Sequence, residues 1–340
     1  MSFRWPCLPA VLGTWLIAEA SAWACDSGTV RDAAFSRQRD VHRLCVFAAH
    51  GDPDGDAIAE RLDTWLTARG DAHNLRIERV FPDDPEVTWS DYGIPSRPPR
   101  LPATALIGES VPSGNPFVIG GWEPAPEDFD GLLDSPARET IKAALATHWA
   151  VLLHAPELSN QSDTSDTSES EAIIGAACAT WAEKQPPGLA VVRLQRDDPR
   201  ERIVCALARI PPQGPDWLGV VFGKGTLLAP PLTGDDISED SLNRLLETLA
   251  TPCTCLHQSV RFGLDLPMLW DDTITERALA MSTPVTPVTP LVEDVLGAPP
   301  HIKTAFGRMT GLLALGVFGA AAVSGALAWG IARRDRGTGS

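Results

Sequence analysis

Cys253 and Cys255 stand one residue apart, and His257 follows two positions on. Of the residues in this 340-residue chain, these have the types and spacing that most directly suggest chemistry. Three readings fit. Two thiolates and an imidazole are soft ligands suited to Cu(I) or Zn(II), although a closed zinc site takes a fourth ligand that the local sequence does not supply. The same cysteines could form a reversible disulfide whose small ring would make it relatively oxidising. They could also staple the chain where it leaves a folded domain, and this structural reading is the expectation. A second cluster is Asp52, Asp54 and Asp56 in DPDGD, whose alternating oxygens resemble the opening of a calcium loop. The pattern then stops, because the places for a sixth-position glycine and a twelfth-position glutamate hold Ala57 and Asp63. Acidic residues at the start of a helix, one of them capping it, are the simpler expectation. There is no serine-nucleophile motif, glycine-rich phosphate loop or HExxH pattern. No catalytic residue and no cofactor is expected.

The elements that must position these residues repeat. Thr64-Trp65 recurs as Thr180-Trp181, Asp84-Pro85 as Asp198-Pro199, and Ile107-Gly108 as Phe222-Gly223, in one order and at a nearly constant offset. Each copy opens on a buried strand, at 43–50 or 149–155. A helix follows at 56–69 or 170–184, and in the first copy Ile58, Leu62, Trp65 and Leu66 fall on one face. A second strand comes at 74–81 or 189–195, and a third at 103–108 or 217–222. A fourth lies at 116–121 or 226–232, and closing helices at 126–146 and 238–250. Strands alternating with helices predict an α/β sheet with βαβ crossovers.

This order resembles the thioredoxin-like fold over roughly 40–150 and 148–256, and RLPATALIG is similar to the segment whose cis-proline precedes a central strand, with Pro102 in that place. The resemblance implies fold more than activity. Thioredoxins carry Cys-x-x-Cys in the first βα loop; here that loop is HGDPDGDA in one copy and APELSNQSDTSDTSESEA in the other. Dithiol exchange needs an attacking and a resolving thiol at that helix start. Segments such as GLLDSPAR (131–138), VVFGKG (220–225) and PCTC also resemble a bacterial envelope membrane-protein family of degenerate tandem thioredoxin-like domains, which brings no established activity.

The ends predict where the chain sits. Arg4, an apolar run and Ala22-Trp23-Ala24 read as a signal peptide cleaved after residue 24. That would leave Cys25 first, with lipidation as a minor alternative. Gly311 to Ala332 is 22 residues without a charge, long enough to span a bilayer, and Arg333, Arg334 and Arg336 follow. The expected layout is leader 1–24, thioredoxin-like domains 25–147 and 148–282, a Pro-rich stalk 283–310 containing TPVTPVTP, a transmembrane helix 311–332 and a cytoplasmic tail 333–340. The body would lie outside the cytoplasm, as a periplasmic ectodomain on a single-pass anchor in the cytoplasmic membrane. A net charge of −16 argues against a nucleic-acid partner. Residues 159–171 read as a polar surface loop.

Cys7 leaves with the leader. Six cysteines remain, which in an oxidising compartment permit up to three bridges. Cys25 lies 20 residues before Cys45 and could pair with it. Cys178 and Cys205 read as small buried hydrophobes, with a bridge between them as the alternative. The functional expectation is a membrane-tethered, non-catalytic interaction or scaffold protein with an envelope or membrane partner. The alternatives are a thiol/disulfide protein acting through Cys253 and Cys255, or a metal-binding protein using Cys253, Cys255 and His257.

Overall fold

The structure is a computed structural model. It describes residues 28–281 except 112, 123–125, 128, 158–168 and 254–260. These residues all belong to the first of two compact units, which ends at Val285. The expected leader, stalk, span and tail lie outside them, as do Cys25, Cys255 and His257. Among the described residues no helix is long and apolar enough to cross a membrane.

After α1 (Val30–Ser36) the first lobe runs β1 (His42–Phe47), α2 (Pro53–Thr67), β2 (Leu75–Val80), β3 (Ala103–Glu109), β4 (Pro116–Trp122) and α3 (Pro136–Leu145). Its sheet order is β2-β1-β3-β4. β1 and β2 are parallel, as a helical crossover requires, while β3 and β4 are antiparallel to their neighbours. The second lobe repeats the plan with β5 (Ala150–Ala155), α4 (Glu169–Lys184), β6 (Leu189–Arg193), α5 (Arg202–Leu207), β7 (Trp217–Phe222), β8 (Thr226–Leu228), β9 (Leu232–Thr233) and α6 (Glu239–Ala250). Then β10 (Gly263–Asp265) joins the sheet, giving β10-β8-β7-β5-β6, and α7 (Asp272–Ala280) follows. In both lobes a parallel βαβ unit is extended by an antiparallel pair and closed by a helix. That is thioredoxin-like topology, and the Leu101–Pro102 bond is cis, directly before β3.

Two expected elements are shorter, for reasons of backbone chemistry. The closing helix foreseen over 126–146 is a 3-10 turn at Asp130–Leu132 and then α3, because Ser135 caps a fresh start and Pro136 occupies the first helical position. The strand foreseen over 226–232 breaks after Leu228, where Pro230 and Pro231 have no N–H to give a ladder.

The lobes share one core. Leu44, Val46 and Leu106 of the first sheet, Ile141 and Leu145 of α3, and Val151, Leu153 and Val221 of the second sheet lie in one apolar cluster. Helix α3 packs on β5 and β6, and α5 packs back on β4, so each lobe supplies a cover for the other. Helix α1 precedes the first lobe yet packs on α6 of the second. Its start is tied there by Val30 N–H to Thr251 O (2.9 Å) and by Cys253 N–H to Gly28 O (2.9 Å). Gly223, at φ +56°, lets the β7–β8 turn approach this helix; a Cβ there would stand 2.5 Å from that of Ala34. The second sheet's far face packs Leu152 and Val220 beneath α4 and α6, where Trp181 of α4 stacks on Trp149. The first sheet's outer face buries Cys45, Phe47 and Ile107 under Trp89, Tyr92 and Leu101.

Two buried ionic hubs close the seam. Arg138 is fully buried and donates to the carbonyls of Gly131, Leu132, Asp134 and Pro267 and to Ser135 Oγ. Glu201 reaches from the second lobe to the start of α3, accepting from Ser135 Oγ (2.7 Å) and Ala137 N–H (2.8 Å). Both carboxylate oxygens of Asp265 accept from Arg37 Nη2 (2.9 and 3.0 Å), and the carboxylate also accepts from Asp40 N–H (2.6 Å) and Thr226 Oγ1.

Candidate functional site

In this topology the first βα junction of each lobe is where a functional loop would stand. In the first lobe β1 runs into Ala48-Ala49-His50-Gly51-Asp52. Asp52 caps α2, its Oδ1 accepting from Asp54 N–H (3.1 Å), and Pro53 fits the first turn. The three aspartates therefore do helix-start work: Asp54 favours the dipole, and Asp56 pairs with Arg79 at 2.8 Å. Gly55 is required, because a Cβ there would come 2.2 Å from that of Ala48. His50 stacks on Phe81, ring centroids 4.0 Å apart, and places Nε2 2.7 Å from Asp84 Oδ1. Sequence reasoning did not foresee this exposed His–Asp pair. Its only signal is an aspartate just past the end of the neighbouring parallel strand.

In the second lobe one carboxylate holds the junction. Asp216, immediately before β7, accepts from Glu157 N–H on Oδ1 (2.6 Å) and from Ser170 Oγ on Oδ2. Glu157 follows β5, and Ser170 lies in the first turn of α4, so Asp216 pins both strand exit and helix entry. Below it Arg196 donates to the carbonyls of Ala155 (2.7 Å), Pro211, Gly214 and Pro215. His154, the penultimate residue of β5, is 1% exposed; its Nε2 stands 4.0 Å from Asp216 Oδ1 and makes no hydrogen bond. This arrangement is a clamp. The Ser170 hydroxyl donates to the carboxylate and the His154 Nε2 bonds neither, so among the described residues Ser170 and His154 do not form a nucleophile–base pair.

Burial lowers the His154 pKa, opposed by Asp216, with Arg193 and Arg196 lowering and Glu171 raising it further. The folded protein therefore holds a neutral imidazole that the unfolded chain protonates more readily. The unfolded state binds more protons below the ordinary histidine range, so stability falls as pH drops through that range and levels off below the folded value. His42 acts in the same sense: burial lowers its pKa, and its Nε2 donates to Asp265 O at 2.6 Å. Urea midpoints of wild type should decline from pH 7 to pH 5, and those of His154→Gln should decline less. Identical slopes would remove His154 from the account.

The cysteines do not gather at these junctions. Cys45 is fully buried, and burial, aided by Glu78, pushes its thiol up to about 12. Burial likewise pushes Cys205 up to about 11, and Cys178 on α4 is half-buried with its pKa raised. Among the described residues Cys45, Cys178 and Cys205 form no disulfide. Because the thiolate is the reacting form, Cys45 should alkylate roughly a thousandfold more slowly at pH 8 in the folded protein than in urea. Mass-resolved labelling with iodoacetamide checks this, and equal rates would contradict it. Cys253 is 7% exposed and sits where residues 251–253 pair with 28–30, at the exit of α6. Its proposed companions Cys255 and His257, and the Cys25 proposed to pair with Cys45, lie outside the described residues. Among those that are described, no group of three His, Cys, Asp or Glu could hold a metal ion.

No family model matches the chain, and no curated protein matches it. Among solved structures, the first two thioredoxin domains of Eps1p from Naumovozyma dairenensis align with it at 12% identity and a TM-score of 0.23, over 64% of this chain and 93% of that one. The first two thioredoxin domains of Eps1p from Saccharomyces cerevisiae align at 11% identity and a TM-score of 0.18, over 66% and 88%. The strand order and register described above carry the thioredoxin-like assignment, and the resemblance to a bacterial envelope family stays with the sequence motifs alone.

Proposed function

We propose that the chain is a membrane-tethered, non-catalytic interaction or scaffold protein whose paired thioredoxin-like lobes sit outside the cytoplasm and engage an envelope or membrane protein. The observation that carries this reading is the chemistry of the two βα junctions. One holds a capping aspartate and an exposed His50–Asp84 pair; the other holds a Ser170–Asp216–Glu157 clamp. Neither loop sequence contains a cysteine, so the exchange reaction of this topology has no nucleophile where it would occur. The 22-residue uncharged segment supports the tether, and the apolar leader supports export.

The test combines two measurements on the full chain. In a dithiothreitol-driven insulin reduction assay it should add nothing above background. In cells, chemical crosslinking should recover the same partner bands from wild type and from a Cys253→Ser, Cys255→Ser double variant. A reduction rate above background that disappears in the double variant would replace this reading with the thiol one. Protease accessibility of the body from the cytoplasmic side would overturn the topology.

A further inference from the structure

Where the linker between α1 and β1 meets the segment ahead of α7, a cleft of about 710 Å³ opens. That is the size of a small-molecule site. Its walls are fixed by the main chain: Trp270 N–H donates to Ala72 O at 2.7 Å, and Arg39 donates to Met268 O and Leu266 O, both at 2.9 Å. Part of its lining is apolar. Leu269 and Ile274 contribute, and so does Val41, which at 49% is one of only two large apolar side chains exposed among the described residues. An exposed valine beside a cleft is apolar surface left for something to cover.

Three cations line the same cleft: Arg39, Lys142 and Lys224. Lys142 is paired with Glu139. Arg39 and Lys224 form no ion pair among the described residues. Arg39 is bound by carbonyl oxygens alone, and its Nε is buried without a hydrogen bond. Burial lowers its pKa to about 10, opposed by the charges of Asp265 and Asp40. The carboxylates of the cleft, Asp71, Asp271 and Asp272, are exposed at its rim, and Asp271 is already engaged in capping α7. Water and salt screen charges at a rim far more than charges on an inner wall.

We propose that this cleft binds a small organic anion with an apolar body, a medium-chain carboxylate being the simplest case. The head meets Arg39 and Lys224, and the body covers Val41, Leu269 and Ile274. Neither thioredoxin-like junction is involved.

The probe is a diazirine-bearing octanoate, photolysed with the full chain and mapped by peptide mass spectrometry. Labelling should fall on peptides carrying Val41, Leu269 or Ile274, and excess octanoate should suppress it while octylamine should not. Lys224 is half-buried in the β7–β8 turn, and Lys224→Glu, checked for an unchanged melting temperature, should lower labelling about tenfold. Val41→Asp, at an exposed position, provides the same reading through the apolar half should Lys224→Glu fail to fold. Labelling elsewhere, equal competition by octylamine, or undiminished labelling in a folded variant overturns the proposal. Competition by vesicles of anionic phospholipid in place of octanoate assigns the cleft to a lipid headgroup and overturns the free-acid reading.

Discussion

Arg138→Met should lower the unfolding free energy by about 4 kcal/mol, and the melting temperature by roughly 10 °C for a body of this size. The argument is one of unpaired acceptors. The guanidinium donates at 2.7 Å to each of Gly131, Leu132 and Pro267 and at 2.6 Å to Asp134, all on carbonyls, and at 3.1 Å to Ser135 Oγ. Methionine replaces part of the volume and none of the donors. Each buried carbonyl left without a partner costs about 1–3 kcal/mol, and those at the outer edge can recover some of that from water. Pro267 belongs to the segment ahead of α7, so the loss should loosen the seam as well as α3. Arg138→Lys should restore only part of the stability, because an ammonium cannot span the same fork of acceptors. Denaturant unfolding followed by far-UV circular dichroism measures both. A loss under about 1 kcal/mol for Arg138→Met would show that water replaces the guanidinium.

Asp265→Ala should cost about 3 kcal/mol, because the carboxylate is 1% exposed and answers three donors from different parts of the chain. Arg37 comes from the end of α1, Asp40 from the linker and Thr226 from β8. Arg37→Ala also leaves a charge behind, here the buried carboxylate, so both single variants should be poor. The informative quantity is the coupling. In a double-mutant cycle the pair should interact by about 1–3 kcal/mol, with the double variant less damaged than the two losses added together. Strict additivity would mean that Arg37 reaches solvent and contributes nothing to the hub, which its 29% side-chain exposure makes a real outcome to exclude.

Local chemistry was legible in the sequence; long-range polar chemistry was not. Alternating strands and helices, the capping role of Asp52 and the place of Pro102 could all be read because each depends on neighbours a few residues away. The hubs could not. Arg138 reads as a charged position on an amphipathic helix, and nothing within a turn announces that it will be buried against Pro267. His154 offered a faint signal, one titratable residue inside the apolar run VLLHA. Asp216 offered another, a carboxylate directly before the buried strand WLGVVF. Joining the two required knowing that β5 and β7 are partners, which is a property of the sheet. Close spacing draws attention to Cys253 and Cys255 in the sequence, whereas most of the polar groups that hold the βα junctions lie tens of residues apart and carry no such signal.

The pairing of residues 28–30 with 251–253 has a consequence for the order in which the protein is made. The first of the described helices, α1, has its partners in α6 and residues 251–253, near the far end of the described chain, and the first sheet's β4 is covered by α5 of the second lobe. The first lobe therefore lacks part of its cover until the second has been made. A first lobe without that cover should expose apolar surface and sheet edges, the features that favour aggregation. Completion comes only after residue 253 has appeared, and then both lobes can close together as one unit.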